Sequence, residues 1–290
     1  MAFNEYLAQE ILTWRRLLSS NRSSNEGIDF LLDLEAGLSS QELITLALYP
    51  QKLIRLKKPL EELEKLWDLH VNQNVPLQYL LGRCYWRDME LEVNSDVLIP
   101  RQETELLVDI ALEKFHPNVQ GFWVDLGTGS GALAIALARA LPSWQGHAVD
   151  CSQTALSLAK KNLERLSPYS KVKFHLGSWW EPLKSLNDSI NLILSNPPYI
   201  PTSTFKQLES IVLNNEPKIA LWGGEDGMDA CRELVSGAMQ ALSSGGWLIF
   251  EHHHDKSDQA LELLDKHGFD DVSFRNDFQG VKRFAMGRHP

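Results

Sequence analysis

The feature that most constrains the fold is a regular alternation of short apolar runs with helical segments over the C-terminal two thirds of the chain. Each apolar run is four to six residues long, the usual length of a buried strand. Strands joined by helices lie parallel, so the pattern predicts a mostly parallel sheet covered by helices on both faces. The five predicted strands cover residues 122–126, 146–150, 172–176, 190–195 and 247–250.

Two further strands are predicted at the end of the chain, around residues 272–275 and 283–287, with no long helix between them. Because strands joined without a crossover helix cannot be parallel neighbours, these two must pair antiparallel. Parallel strands closed by such a pair favour a Rossmann-like methyltransferase over a dehydrogenase domain. We therefore predict an α/β fold with a seven-stranded, Rossmann-like class I methyltransferase domain.

The N-terminal region has a different pattern and is predicted to be a helical-bundle domain over residues 1–85. Its apolar residues, such as Tyr6, Ile11 and Leu18, recur at three- and four-residue steps that place them on one helical face. Nothing here alternates with period two, so no strand is predicted. Residues 86–105 are predicted to form a hairpin linker, and residues 106–290 the methyltransferase domain.

Composition excludes several classes of protein. The 290 residues are 43% hydrophobic and 23% charged, a balance typical of a globular protein rather than a disordered one. Because the net charge is −10, tight sequence-independent binding of nucleic acid is not expected. No apolar run has the length of a membrane span, and the first residues do not resemble a secretory signal, so we expect a cytoplasmic protein without membrane contact. Three sparse cysteines argue against a disulfide framework or a cysteine-based zinc site.

A glycine-rich loop between the first parallel strand and the next helix is the first candidate binding site. Glycines let the backbone approach a ligand closely, and the carboxylate that ends the next strand can accept both hydroxyls of a ribose. The glycine spacing differs from the dinucleotide fingerprint, and the acidic Asp125 suits an ammonium group better than a pyrophosphate, so S-adenosylmethionine fits. Glycines needed only for a tight corner are the alternative. The predicted cofactor residues here are Gly127, Thr128, Gly129, Ser130, Gly131 and Asp150.

The most specific motif is Asn196-Pro197-Pro198-Tyr199, which directly follows the fourth predicted strand. The prolines have no N–H, so this corner is rich in hydrogen-bond acceptors and poor in donors. The Asn196 side-chain oxygen and the Pro197 carbonyl can accept two hydrogen bonds from a planar NH2 group, against which the Tyr199 ring can lie flat. The motif therefore predicts a substrate site for an amide or exocyclic amine, with Asn196, Pro197 and Tyr199 as catalytic residues. A proline-rich strand end is the alternative.

Such an arrangement meets the chemical need of amide methylation. An amide nitrogen is a weak nucleophile because its lone pair is delocalised into the carbonyl. Two accepted hydrogen bonds can turn the nitrogen towards a tetrahedral shape and direct its lone pair at a sulfonium methyl group, so that positioning supplies most of the catalysis. No strong base is required, because the alkylated amide loses its proton readily.

Taken together, these motifs resemble the protein-(glutamine-N5) methyltransferases that modify peptide-chain release factors. The resemblance runs nearly end to end and includes the helical N-terminal region, the glycine loop and the Asn-Pro-Pro-Tyr corner. The segment that narrows it to this family is Ile99-Pro100-Arg101 before the glycine loop. It implies that S-adenosylmethionine is the cofactor, that release factors are the partners, and that the methyl acceptor is the glutamine amide nitrogen of their Gly-Gly-Gln motif.

The resemblance also implies roles for single residues. Trp179 would pack by the adenine, and Asn196 would touch both cofactor and substrate. The segment from Asn196 to Tyr199 would hold the glutamine, and the N-terminal helices would dock another part of the release factor. The sequence departs from the family pattern at Gln102, Ser178 and His253.

Two other functions use the same features. A nucleic-acid methyltransferase acting on the N6 of adenine or the N2 of guanine would use the same corner, but the acidic charge disfavours it. A protein that binds the ligand without catalysis is the second alternative, and the intact Asn196 and Tyr199 argue against it. The run His252-His253-His254 does not predict a metal site, because consecutive residues after a strand point in different directions.

Overall fold

The computed structural model describes residues 4–19, 25–115 and 119–290, and the chain divides into two compact units, Met1–Leu81 and Gly82–Pro290. The unit boundary lies four residues before the end of the helical domain predicted from the sequence. The hairpin that the sequence assigned to a linker belongs to the second unit, where the Asn162 side chain bonds the backbone N–H and C=O of Glu92 at 2.9 Å each.

The first unit is mainly helical and has its own apolar core, in which Trp67 and Leu63 pack with Ile28 and Leu31. Helix α3 begins at a capping box, in which Ser39 and Glu42 each bond the other's backbone N–H through their side chains. Its helices are α1 (Ala8–Ser19), α2 (Asn25–Leu31) with a π-helical continuation (Leu32–Ala36), α3 (Ser40–Leu46), α4 (Leu60–Gln73) and α5 (Leu77–Leu81).

The expectation that this region contains no strand is wrong. Strands β1 (Asn4–Leu7) and β2 (Leu53–Leu56) pair antiparallel, with Asn4 opposite Leu56 and Leu7 opposite Leu53. Neither strand alternates apolar and polar residues, because β1 reads Asn-Glu-Tyr-Leu and β2 reads Leu-Ile-Arg-Leu. The apolar residues of β1 also continue in step with those of α1, so the sequence pattern assigned them to one helix.

The second unit contains a seven-stranded sheet in the order β10-β11-β9-β8-β5-β6-β7. Strands β5 to β9 are parallel neighbours, while β11 is antiparallel to both β9 and β10, as predicted for the two closing strands. The hairpin strands are β3 (Arg83–Trp86) and β4 (Met89–Glu92), and the sheet strands are β5 (Phe122–Leu126), β6 (Gln145–Asp150), β7 (Val172–Leu176), β8 (Ile190–Ser195), β9 (Leu242–Glu251), β10 (Asp270–Asn276) and β11 (Lys282–Arg288).

Helices flank this sheet and supply the apolar side chains that cover it. In the core cluster, Val124, Ile193 and Leu248 of three neighbouring strands are fully buried together with Leu234 and Val235 of helix α12. The helices are α6 (Glu105–Leu112), α7 (Ala132–Ala140), α8 (Gln153–Leu166), α9 (Thr202–Phe205), α10 (Ser210–Asn215), α11 (Lys218–Leu221), α12 (Asp229–Ala241) and α13 (Ser257–Lys266), with a 3-10 helix at Glu181–Leu186. In the described parts of the chain, no helix combines the length and the apolar character needed to cross a bilayer.

The parallel strands all end at the same edge of the sheet. Strands β5 and β8 are neighbours there, and the Ser195 hydroxyl donates to the Leu126 carbonyl oxygen at 2.6 Å, which ties the two strand ends together. Ligands of open α/β sheets bind at this carboxyl edge, where the chain leaves neighbouring strands in different directions. The fold therefore places the loops that follow β5, β6, β7 and β8 around one position.

Candidate active site

A cavity of about 660 Å³ lies at the carboxyl edge of the parallel strands. Its volume is within the range of small-molecule sites. Three predicted site residues, Gly131, Pro197 and Tyr199, are not among the residues that line it. The predicted residues that do line it are Gly127, Thr128, Gly129, Ser130, Asp150, Trp179, Asn196 and Pro198.

The loop after β5 is held in place by buried hydrogen bonds. The backbone N–H groups of Gly127 and Thr128 both donate to the Val149 carbonyl, at 2.9 and 3.0 Å. The Thr128 hydroxyl and the Ala134 N–H donate to Asp125 Oδ2, at 2.6 and 3.2 Å. Burial raises the pKa of Asp125 to about 7. The sequence suggested that Asp125 faces an ammonium group of the ligand. Asp125 does not line the cavity, so it supports the loop from behind instead.

The glycines of this loop have two different structural roles. Gly127 and Gly129 have φ angles of +79° and +54°, and a Cβ built on either would meet no atom within 4 Å. They therefore leave open space at the cavity wall in a backbone conformation that side chains disfavour. Gly131, at φ +86°, packs against helix α8, where a Cβ would lie 3.1 Å from the Cβ of Ala159. Its role is close packing of α7 on α8.

Asp150 is the carboxylate at the cavity wall. Its Oδ2 accepts from the Gly129 N–H and its Oδ1 accepts from the Ser152 N–H, both at 2.9 Å. Each oxygen of an ionised carboxylate can accept more than one hydrogen bond, so both keep capacity for a ligand. Two backbone N–H groups fix its orientation, which suits it to bind a pair of neighbouring hydroxyls such as those of a ribose.

Trp179 lines the cavity from the segment that follows β7. Its φ angle is +45°, an uncommon conformation for a bulky residue. Such strained residues concentrate at ligand sites, where the surrounding structure holds them in place. The next residue, Trp180, points elsewhere, because its Nε1 donates to the Glu233 carbonyl of α12 at 2.8 Å. Trp179 therefore lines the cavity, whereas Trp180, which is also only partly buried, packs against α12.

A buried hydrogen-bond network controls the side chain of Asn196. The Asn196 Nδ2 donates to Thr104 Oγ1 at 2.9 Å, and the Thr104 hydroxyl donates to Glu251 Oε2 at 2.8 Å. The Tyr199 hydroxyl donates to the other oxygen, Glu251 Oε1, at 2.7 Å. Thr104 is 5% exposed and Glu251 is fully buried. Burial raises the pKa of Glu251 to about 7, while its two hydroxyl donors lower it.

The sequence did not assign Thr104 and Glu251 to the site. Thr104 directly precedes α6, but its hydroxyl makes no capping hydrogen bond. Instead the hydroxyl joins residues that are 92 and 147 positions away in the chain. The family resemblance, which runs nearly end to end, also extends over Glu251-His252, but it assigned Glu251 no role.

Tyr199 and Pro197 are placed differently from what the motif suggested. The Tyr199 ring anchors the corner through Glu251, and burial together with the Glu251 charge raises the pKa of its hydroxyl well above the usual value. Pro198 lines the cavity, whereas Pro197 is buried beside it. The residue after the motif, Ile200, exchanges backbone hydrogen bonds with Leu221 and Gly223, at 2.9 and 3.0 Å, which holds the corner against the loop beyond α11.

The cavity is also lined by residues to which the sequence assigned no role. Arg101 lines the cavity and pairs with Glu216 at 2.7 Å, whose side chain is only 2% exposed. Ile219 and Trp222 also line it and remain 65% and 41% exposed. An ion pair and two exposed apolar side chains therefore border the cavity. Over the described ranges, no group of three or more His, Cys, Asp or Glu side chains is arranged to hold a metal ion.

The groups that line the cavity fit the chemical parts of S-adenosylmethionine. The Gly127 and Gly129 backbone leaves space for a close ligand, Asp150 presents acceptors for a ribose, and Trp179 presents an aromatic ring for a base. Ser178, where the family usually has an acidic residue, lies on the same wall.

Comparisons with known proteins identify the family of this chain. A family model described as "methyltransferase small domain" matches residues 102–215. A release factor glutamine methyltransferase of Prochlorococcus marinus is 48% identical over 100% of both chains. A protein of the same name from Thermosynechococcus vestitus is 42% identical over 88% of this chain and 87% of its own. One from Synechocystis is 36% identical over 98% of this chain and 96% of its own.

The solved structures include the hMettl16 catalytic domain in complex with MAT2A 3'UTR hairpin 6, with a TM-score of 0.57 over 94% of this chain and 91% of that one. At 13% identity this likeness concerns the fold alone. It confirms the predicted Rossmann-like class I methyltransferase fold. From the full-length identities, the chain belongs to the release factor glutamine methyltransferases, enzymes that use S-adenosylmethionine as methyl donor.

Proposed function

We propose that this protein methylates the side-chain amide nitrogen (N5) of the glutamine in the Gly-Gly-Gln motif of a peptide-chain release factor. The observation that carries the proposal is the orientation of Asn196 at the cavity wall. Its NH2 group is bound to Thr104, so its Oδ1 is the atom left to accept a hydrogen bond from an incoming amide. The names of the full-length relatives agree with this substrate.

The cofactor would be held by the wall made of the glycine loop, Asp150 and Trp179. Backbone atoms of Gly127 to Ser130 would approach its amino-acid end, Asp150 would accept the two ribose hydroxyls, and Trp179 would pack on the adenine. When bound, S-adenosylmethionine supplies an electrophilic methyl group on a sulfonium. Gly131 would act indirectly, by keeping α7 close to α8 beneath the loop.

The Asn-Pro-Pro-Tyr corner would hold the glutamine amide. Asn196 Oδ1 would accept one N–H of the substrate NH2 group, and the backbone carbonyl of Pro197, a residue buried beside the cavity, would accept the other, which orients the nitrogen lone pair into the cavity. Pro198 would form the apolar wall beside it. Tyr199 does not line the cavity and would act indirectly, by fixing the position of the corner through its hydrogen bond to Glu251. The alkylated nitrogen is acidic and would lose its proton to water without a protein base.

The helical region, residues 1–85, would dock another part of the release factor. Supporting this are the exposed apolar side chains of Ile44, Leu48 and Tyr49, which lie close together in sequence on and after α3. Residues 86–105 would connect that region to the methyltransferase domain, residues 106–290. The reaction would take place in the cytoplasm, with no direct role for nucleic acid or membrane.

The test is methyl transfer from radiolabelled S-adenosylmethionine to three purified acceptors: release factor, DNA and RNA. We expect label on the release factor, and tandem mass spectrometry should place a single methyl group on the glutamine of Gly-Gly-Gln. The matched control is a release factor in which that glutamine is alanine, which should remain unlabelled. Label on DNA or RNA alone would reject the proposal in favour of an exocyclic-amine methyltransferase.

A further inference from the structure

The strongest unassigned feature is the buried chain of hydrogen bonds behind Asn196, which joins three separate parts of the second unit. Thr104 lies just before α6, Asn196 follows β8, and Glu251 ends β9. Asn196 lines the cavity, and so does Thr104, whereas Glu251 is fully buried behind them. A carboxylate that has no access to solvent and no contact with the cavity is costly to bury, so its presence calls for a function.

The network fixes the direction of each hydrogen bond. An ionised carboxylate has no proton, so Glu251 can only accept, and the hydroxyls of Thr104 and Tyr199 must both donate to it. A hydroxyl has one proton. Because the Thr104 hydroxyl uses its single hydrogen in the bond to Glu251, its oxygen can only accept a further hydrogen bond, and the group that faces it on Asn196 must be the NH2 rather than the oxygen.

We propose that Glu251 is a positioning residue that acts through Thr104 to hold the Asn196 carboxamide with Oδ1 towards the substrate amide. The inference rests on the proposed function, since it concerns how that amide is held. In the reverse orientation, the NH2 of Asn196 would face the NH2 of the substrate, and two donors would meet without an acceptor. The carboxylate thus selects between a productive and an unproductive orientation of a residue that it does not touch.

The surroundings of Glu251 make this control depend on proton concentration. Burial raises its pKa to about 7, opposed by the two hydroxyl donors and by the charge of Arg283, while the charge of Glu103 raises it. Arg283, on β11, is itself paired with Asp277 at 3.2 Å. When the Glu251 carboxyl is protonated, it can donate a hydrogen bond to Thr104. The Thr104 hydroxyl is then free to donate to Asn196 Oδ1, which favours the reverse orientation of the Asn196 carboxamide. Turnover should therefore fall as pH drops through neutrality.

The test compares wild type with Thr104→Val and Thr104→Ser, using release factor as substrate. Valine keeps the shape of threonine without the hydroxyl, and serine restores the hydroxyl. We expect Thr104→Val to lower kcat by about tenfold or more while the KM for release factor changes by less than about threefold, and Thr104→Ser to recover kcat to within about threefold of wild type. Thermal unfolding and S-adenosylmethionine affinity, measured by calorimetry, identify variants that fail for structural reasons.

The role of the carboxylate itself is tested by Glu251→Gln, through the dependence of kcat on pH between about 5.5 and 8.5 at saturating substrates. Wild type should lose turnover on the acidic side of neutrality, and Glu251→Gln should lack this decrease, because glutamine does not titrate. The proposal that Glu251 positions Asn196 through Thr104 is wrong if Thr104→Val keeps the wild-type kcat. It is also wrong if the kcat of Glu251→Gln still falls at acidic pH. Wild type that leaves the release factor unlabelled would instead remove the proposed function, so the two failures are distinguishable.

Discussion

Replacing Asp150 by alanine should weaken S-adenosylmethionine binding more than it weakens the fold. Both carboxylate oxygens are oriented by backbone N–H groups at 2.9 Å, and the side chain lies at the cavity wall. Hydrogen bonds from ligand hydroxyls to such a charged group contribute about 1.5–3 kcal/mol. Their loss corresponds to an increase in Kd of about 10- to 150-fold. The two backbone N–H groups lose an acceptor but lie beside the open cavity, where water can replace it.

The assay is isothermal titration calorimetry of S-adenosylmethionine and S-adenosylhomocysteine with wild type and Asp150→Ala. The matched control is Asp88→Ala, which removes an aspartate from the same unit that pairs with Arg139 and is 69% exposed, away from the cavity lining. We expect wild-type affinity for Asp88→Ala. An unchanged Kd for Asp150→Ala would refute the assignment of Asp150 to the ribose, and a shared loss in both variants would show a general effect of removing charge.

Three further substitutions separate catalysis, ligand binding and stability. Asn196→Ala should lower kcat by about 100- to 1,000-fold with KM within about threefold, because the Asn196 side chain acts on the reacting amide. Steady-state kinetics and calorimetry test this, and equal losses in kcat and release-factor affinity would show that Asn196 only docks the substrate. Gly129→Ala should lower the free energy of unfolding by about 1–2 kcal/mol, because residue 129 has a φ of +54°. The added methyl group should also obstruct the cofactor, and undiminished cofactor affinity in calorimetry would contradict this. Gly146→Ala would place a Cβ 2.0 Å from the Trp123 ring, so urea unfolding should show a loss of about 1–3 kcal/mol or more, and an unchanged midpoint would disprove the close packing.

The large sheet could be predicted because each strand carries its own signal. Residues 122–126 and 190–195 are apolar runs of strand length, and they form neighbouring buried strands. The antiparallel ending followed from the missing crossover between the last two strands. The pair β1 and β2 could not be found in this way. Its strands pair residues 46 to 52 positions apart, and neither strand alternates apolar and polar residues.

The candidate site was predictable where it depends on local sequence and not where it depends on long-range contacts. The glycine loop, Asp150 and Asn196 carry their chemistry in short motifs, and the fold brings them to one cavity. Thr104 and Glu251 have ordinary sequence surroundings, and only the packing of α6 and β9 against the end of β8 makes them partners of Asn196. The motif alone also could not show that the hydroxyl of its tyrosine faces a buried carboxylate.

The central claim is that the Asn196 corner holds a carboxamide in front of the methyl donor. The most direct measurement is a crystal structure of the protein with S-adenosylhomocysteine and a release factor, or a peptide containing Gly-Gly-Gln. We predict that the glutamine amide nitrogen lies within hydrogen-bond distance of Asn196 Oδ1 and the Pro197 carbonyl, with the thioether sulfur directed at that nitrogen from the side of Asp150. A glutamine bound elsewhere, or a sulfur that faces away from it, would contradict the account.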